Sequence, residues 1–264
     1  MDTAGGDGTS IAYLERGRRG ATPLVLLHGW AQSADCWGAE VLDGLAATHH
    51  VLAPDLRGHG RSSAPEVGYD DPAAWAADLD AVLAAAGVTE PPVLLGWSYG
   101  GLVACDWLRC GGAAAGLVLV GAVTGLGRGR AGGRVGPAMR AALPDALSED
   151  PAVAVPALAC FAGALTTDGP RAQALLGASL ATPPRVRGAL FARACDNDAV
   201  LAGFVAPSLV LHGTDDAVVD LSAGGHAAGL LPAARTSWWD GGGHALFLEN
   251  PQRFVAEVVA VLPS

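Results

Sequence analysis

Basic residues are scarce in this chain. Sixteen Lys and Arg stand against 26 Asp and Glu, a formal charge of −10. That balance argues against a nucleic-acid partner, because binding a polyanion needs a net basic face. Charge of either sign is thin, at 16% of residues against 51% hydrophobic, which suits a large buried core and not disorder. No apolar stretch is long enough to span a bilayer; the longest, such as residues 79–88, are interrupted by charge or Gly, so no membrane partner is expected. Residues 1–8 carry neither a basic n-region nor an apolar h-region, so no secretory leader is expected. The cysteines are Cys36, Cys105, Cys110, Cys160 and Cys195, odd in number and without CxxC spacing. Neither a disulfide framework nor a zinc site is expected, and a reduced, cytoplasmic chain is the simple reading. Internal repeats and low-complexity tails are absent. What remains is 264 residues, a length that α/β folds commonly take as one unit.

Short apolar runs recur along the chain, each stopped by Gly or Pro. Pro23-Leu24-Val25-Leu26-Leu27 ends at His28-Gly29, Val51-Leu52-Ala53 at Pro54-Asp55, and Val93-Leu94-Leu95 at Gly96. Leu117-Val118-Leu119-Val120 ends at Gly121, and Leu209-Val210-Leu211 at His212-Gly213. Continuous runs of this kind suit strands buried on both faces of a parallel sheet. Residues 11–15 are expected as an edge strand, and Ser237-Trp238-Trp239 as a last one. Between the runs lie helical patterns at 71–86, 102–108 and 251–262. The first carries Trp75, Leu79, Val82 and Leu83 at helical spacing, with Pro72 in its first turn and Gly87 past its end. Alternation of strand and helix predicts an α/β fold, a mostly parallel sheet with helices on both faces.

Residues 125–205 break that rhythm. They open on Gly125-Leu126-Gly127-Arg128-Gly129-Arg130, read as a loop, and continue as Ala- and Leu-rich helical segments broken by Pro144, Pro151, Pro156, Pro170 and Pro183-Pro184. Lying between the fourth and fifth buried runs, they predict an inserted helical lid, with residues 1–124 and 206–264 as the core. Arg128, Arg130, Arg134 and Arg140 at the lid entrance read as a solvated loop, the alternative being steering of an acidic substrate or acyl carrier. His49-His50 and His226 are placed in surface segments, and Trp238-Trp239 in the core.

Four constellations carry chemistry. Gly96-Trp97-Ser98-Tyr99-Gly100-Gly101 follows an apolar run and opens an apolar helix. A serine at such a turn needs strained backbone angles and small neighbours, and its hydroxyl stands at a helix N-terminus that favours developing negative charge. Gly243-His244 falls in a loop after the last strand, where a histidine can reach that serine as general base. His212-Gly213-Thr214-Asp215-Asp216 offers two adjacent carboxylates to hold the His244 imidazole in one tautomer. The turn after the fourth run is a poor rival, since no Asp or Glu lies between Ala113 and Pro144. Finally, His28-Gly29-Trp30 follows the first buried run. An oxyanion needs two backbone N–H donors, and those of Trp30 and Tyr99 are the candidates.

These segments together resemble the α/β-hydrolase family over nearly the whole chain. His28-Gly29-Trp30 resembles its oxyanion motif, and residues 54–62 (PDLRGHGRS) its DxRGxGxS structural loop. Residues 96–101 resemble its nucleophile elbow. Gly213-Thr214-Asp215-Asp216 resembles its GxxD acid motif, which places the acid at Asp216. The resemblance implies a serine hydrolase with Ser98, His244 and Asp216 as catalytic residues and an acyl-enzyme intermediate. It implies no metal and no organic cofactor, and a small-molecule ester as partner. Small carboxylesterases, including the pimeloyl-carrier-protein methyl ester esterases, and cofactor-free haloperoxidases share these features. A C–C bond hydrolase or lyase, a perhydrolase, and a non-catalytic binding protein are the alternatives. Met139, Phe161 and Phe191, with Trp30 and Tyr99, are expected to line the substrate site.

Overall fold

The computed structural model describes residues 1–261 of the chain. The strands are β1 (Asp2–Ala4), β2 (Ser10–Arg16), β3 (Pro23–Leu27), β4 (His50–Pro54), β5 (Val93–Trp97) and β6 (Gly116–Val120). They continue as β7 (Gly125–Leu126), β8 (Cys195–Asp196), β9 (Ser208–Gly213) and β10 (Ala234–Trp239). Every residue of β3, β4, β5, β6 and β9 is buried, as the apolar runs require of strands covered on both faces. Eight strands form one sheet in the order β1-β2-β4-β3-β5-β6-β9-β10. The pairs β1-β2 and β2-β4 are antiparallel, and the rest of this sheet is parallel. Residues 11–15 therefore lie one strand in from the edge that they were expected to occupy. The edge is β1, whose three residues are too few and too polar to show in the sequence.

The helices are α1 (Gly38–Ala46), α2 (Pro72–Ala85), α3 (Gly100–Arg109), α4 (Pro137–Ala146), α5 (Pro151–Leu165) and α6 (Gly169–Ala181). They continue as α7 (Pro184–Ala192), α8 (Asp198–Ala202), α9 (Leu221–Leu230), α10 (Leu246–Glu249) and α11 (Pro251–Val259). Right-handed crossovers set α1, on the step from β3 back to β4, on the face opposite α2, α3 and α9. α11 packs beside α1, and α2 beside α3. α2 begins where the Asp71 carboxylate accepts the Ala73 N–H at 2.9 Å, with Pro72 at its first position. The C-terminal helix ends at Val259; Leu262, expected within it, lies outside the described residues.

Between β6 and β9, four helices (α4 to α7) form a cap. Pro151 and Pro184 sit at the first positions of α5 and α7 and Pro170 at the second of α6, where a missing N–H costs nothing, so the breaks expected there fall between helices. Pro144 and Pro156 lie inside α4 and α5. Gly125 and Leu126, expected in a loop, pair antiparallel with Asp196 and Cys195 and tie the two ends of the cap together. α8 packs on α3 and α9. Inside the cap, the buried Arg187 guanidinium donates to Ala146 O at 2.9 Å, Thr182 O at 2.8 Å and Ser179 O at 3.2 Å. These carbonyls end α4 and approach the end of α6, where a cation meets the negative end of the helix dipole.

Two placements differ from expectation. His49 and His50 are buried, and His50 Nε2 lies 2.8 Å from Glu15 Oε1 across the β2-β4 pair. Trp239 is packed, with the Arg253 guanidinium over its ring, but Trp238 is 40% exposed because alternate residues of an edge strand face opposite ways.

Candidate active site

β5 runs into α3 through Ser98, whose φ of +53° is one of two positive values at non-glycine residues among the described residues. That conformation costs an L-residue about 1–2 kcal/mol, so it must be held. The Ser98 N–H donates to Val120 O, and Ser98 O accepts from the Gly101 and Val123 N–H groups, each at 3.0 Å. Gly100 cannot carry a side chain, because a Cβ there would lie 2.1 Å from Leu27 O. Strain of this kind gathers at functional sites.

His244 and Asp216 meet beside this turn. His244 Nδ1 lies 2.8 Å from Asp216 Oδ2, and both side chains are buried. Gly121, next to the Val120 carbonyl that holds Ser98, leaves room for them: a Cβ there would sit 3.0 Å from His244 Nδ1 and 3.1 Å from Asp216 Oδ2. The Trp97 indole donates to His244 O at 3.0 Å, and its ring packs on the imidazole. The other carboxylate oxygen, Asp216 Oδ1, accepts the Val218 and Val219 N–H groups at 2.8 and 2.9 Å. Burial opposes the charge on Asp216, but His244 and His212 hold the carboxyl well below the usual carboxylate range. An ionised carboxylate only accepts, so His244 Nδ1 carries the proton, and in the neutral tautomer Nε2 is unprotonated. Asp215, the competing acid, is exposed.

Ser98 opens on a small, partly open pocket, whose lining does not include His244. Its walls include Trp30 and Tyr99 from the core turns, Met139, Phe161 and Phe191 from the cap, and Val123. Thus the five side chains that the sequence singled out for the substrate site share one cavity with Ser98. The Trp30 ring packs edge-on against Phe161 and Phe191, at 5.3 and 5.5 Å. Its indole N–H donates to Arg187 O at 3.1 Å, which joins the core turn to the cap. Neither the Trp30 nor the Tyr99 backbone N–H has an acceptor within the described chain, although both residues are buried. Buried amides are almost always paired, so two without a partner on residues that share a pocket with Ser98 set this turn pair apart. A larger groove between α6 and residues 32–41 does not include Ser98 in its wall.

Some of the site was not foreseen. Leu126, Val135, Val218 and Val219 also line the cavity. The last two lie two and three residues after Asp216, and their place in that turn was the available signal. His212 is fully buried, with Nε2 3.0 Å from Val219 O and 3.1 Å from Asp216 Oδ2. Of the lid arginines, Arg130 pairs with Asp196, Arg134 reaches Ser222 Oγ, Arg140 donates to Val135 O, and Arg128 is exposed. Among the described residues, no group of three or more His, Cys, Asp or Glu could hold a metal ion. No described helix is long and apolar enough to cross a membrane.

Known proteins share this architecture. The structure of the esterase RhEst1 from Rhodococcus sp. ECU1013 superposes with a TM-score of 0.95 at 57% identity, covering 98% of this chain and 97% of that one. A pimeloyl-[acyl-carrier protein] methyl ester esterase from Aromatoleum aromaticum is 32% identical over 242 residues, 87% of this chain and 93% of that protein. A non-heme chloroperoxidase from Streptomyces lividans is 42% identical over 95 residues, 36% of this chain and 34% of its own. The match thus spans only about a third of that relative's length. The model of the alpha/beta hydrolase family matches residues 24–258, and this chain belongs to that family.

Proposed function

We propose that the protein hydrolyses small carboxylic esters whose acyl group is compact and uncharged. The observation that carries this reading is the strained Ser98 beside two unpaired amide donors, on a cavity without a charged wall residue. In the proposed reaction His244 Nε2 takes the Ser98 hydroxyl proton as Oγ attacks the acyl carbon. The carbonyl π electrons move onto oxygen, where the Trp30 and Tyr99 N–H groups stabilise the charge. Asp216 holds the imidazole and stabilises its charged form. Collapse breaks the ester C–O bond, and His244 protonates the departing alcohol. Water, deprotonated by His244, then attacks the acyl-enzyme and releases the acid and Ser98.

The cap, residues 125–205, is proposed as a lid that excludes water and supplies the acyl wall through Met139, Phe161 and Phe191. A free small molecule is the proposed substrate, since three of the four entrance arginines make contacts within the chain. All five cysteines are unpaired, which supports the cytoplasm as the compartment. The names of the esterases similar over nearly the whole chain favour ester cleavage over C–C cleavage or perhydrolysis. The test is a chain-length panel of activated esters run with and without a fluorophosphonate. Stoichiometric labelling of Ser98 with loss of turnover is expected; turnover that survives full labelling would overturn the proposal.

A further inference from the structure

The second strained non-glycine residue is Ala31, at φ +54°, immediately after Trp30. Its N–H donates to His59 Nε2 at 3.2 Å, and His59 Nδ1 lies 2.9 Å from Arg57 O. His28 makes the mirror arrangement: Nε2 accepts the Leu56 N–H at 3.0 Å, and Nδ1 lies 2.8 Å from Gly29 O. The two rings are buried and stand edge to face, 5.1 Å apart. Backbone N–H groups only donate, so both Nε2 atoms accept and both rings carry their proton on Nδ1. The loop at 28–31 and the loop at 54–62 are thus stapled by two neutral histidines, with Ala31 held in its strained state by one of them.

We infer that His59 is a positioning residue that keeps the Trp30 N–H aimed at the oxyanion, acting through its bond to the Ala31 N–H. This rests on the proposed roles of Ser98 and Trp30. Ala31 has lower-energy backbone states available, and relaxing to one would turn the adjoining peptide and with it Trp30. His59 opposes this, because the relaxed loop would leave a buried N–H and a buried ring nitrogen unpaired.

Two substitutions separate this role from a merely structural one. His59→Gln puts an amide acceptor where Nε2 sits and keeps the bond to Ala31. His59→Asn keeps a donor toward Arg57 O but stops short of Ala31. Removing an oxyanion donor costs on the order of 10²–10³ in kcat, and misaligning one should cost a fraction of that. Asn should therefore lower kcat by about 10–100-fold with KM unchanged, while Gln stays within about threefold of the wild type. His59→Met, with no acceptor, should follow Asn, and serves in its place if Asn fails to fold. Asn and Met at wild-type kcat, or Gln falling as far as they do, would overturn the inference. Ser98→Ala in the same assay isolates the parent reading. If it keeps turnover, the site assignment itself fails; if it is dead while Asn is fully active, only the role of His59 fails.

Discussion

Asp216→Asn is the sharpest test of the proposed site, because the structure fixes which way the new amide must face. Oδ1 accepts two backbone N–H groups, from Val218 and Val219. An amide nitrogen there would meet two donors, so the asparagine oxygen takes that place and its NH₂ replaces Oδ2. The NH₂ then points at His244 Nδ1, 2.8 Å away, and at His212 Nε2, 3.1 Å away. To avoid N–H against N–H, the His244 ring must move its proton to Nε2. That tautomer cannot accept the Ser98 proton. In another triad enzyme the same change costs on the order of 10⁴ in kcat, or about 5 kcal/mol of barrier, and a loss of that order is expected here. Asp215→Asn should change kcat by less than about threefold, since that side chain is exposed and makes no hydrogen bond. The assay is steady-state hydrolysis of an activated ester, with thermal denaturation to show that each variant is folded. A folded Asp216→Asn enzyme within tenfold of wild type would refute the reasoning, and a reversed ranking would move the acid to Asp215.

Ser98→Ala and His244→Ala should each lose on the order of 10⁶ in kcat, and the double variant hardly more, because nucleophile and base act as one unit. Steady-state rates of all three decide this; additive losses would show that the two side chains work independently. Phe161→Ala and Phe191→Ala should enlarge the cavity and shift acyl preference toward longer chains, in graded steps of about 10–200-fold per methylene. An unchanged ranking of kcat/KM across the ester panel in both variants would remove these rings from the specificity argument. Burial and the neighbouring His28 hold His59 down to about 3, and burial holds His28 below its usual value. The unfolded chain therefore binds protons that the folded chain refuses. Stability should fall as pH drops from about 6.5 toward 3, by up to about 1.4 kcal/mol per pH unit for His59, with His28 acting in the same direction. Denaturant unfolding between about pH 6 and 4.5 should show a shallower slope for His59→Gln. Parallel wild-type and variant curves would contradict it.

Local physics made much of this protein legible in its sequence. Runs such as Leu117-Val118-Leu119-Val120 can satisfy their backbone and side chains together only as covered parallel strands, and so marked the sheet. Gly96-Trp97-Ser98-Tyr99-Gly100 announced a turn whose crowding excludes side chains at its glycines, and the Asp216 and His244 loops were placed by the strands before them. Elements without a periodic signature stayed hidden. α9 (LSAGGHAAGL) has no apolar stripe and is held by its Asp220 cap and by packing, and β1 exists only because β2 offers an edge. Pairings between distant segments were decided by tertiary structure alone. Which aspartate meets His244 depends on the turn that gives Asp216 the two amides of Val218 and Val219. That His59 would reach Ala31, or Arg187 gather the ends of cap helices, depends on loops 28 and 41 residues apart in sequence being brought into contact. A sequence records which groups can donate and accept; which donor finds which acceptor is settled only when burial removes water as the alternative partner.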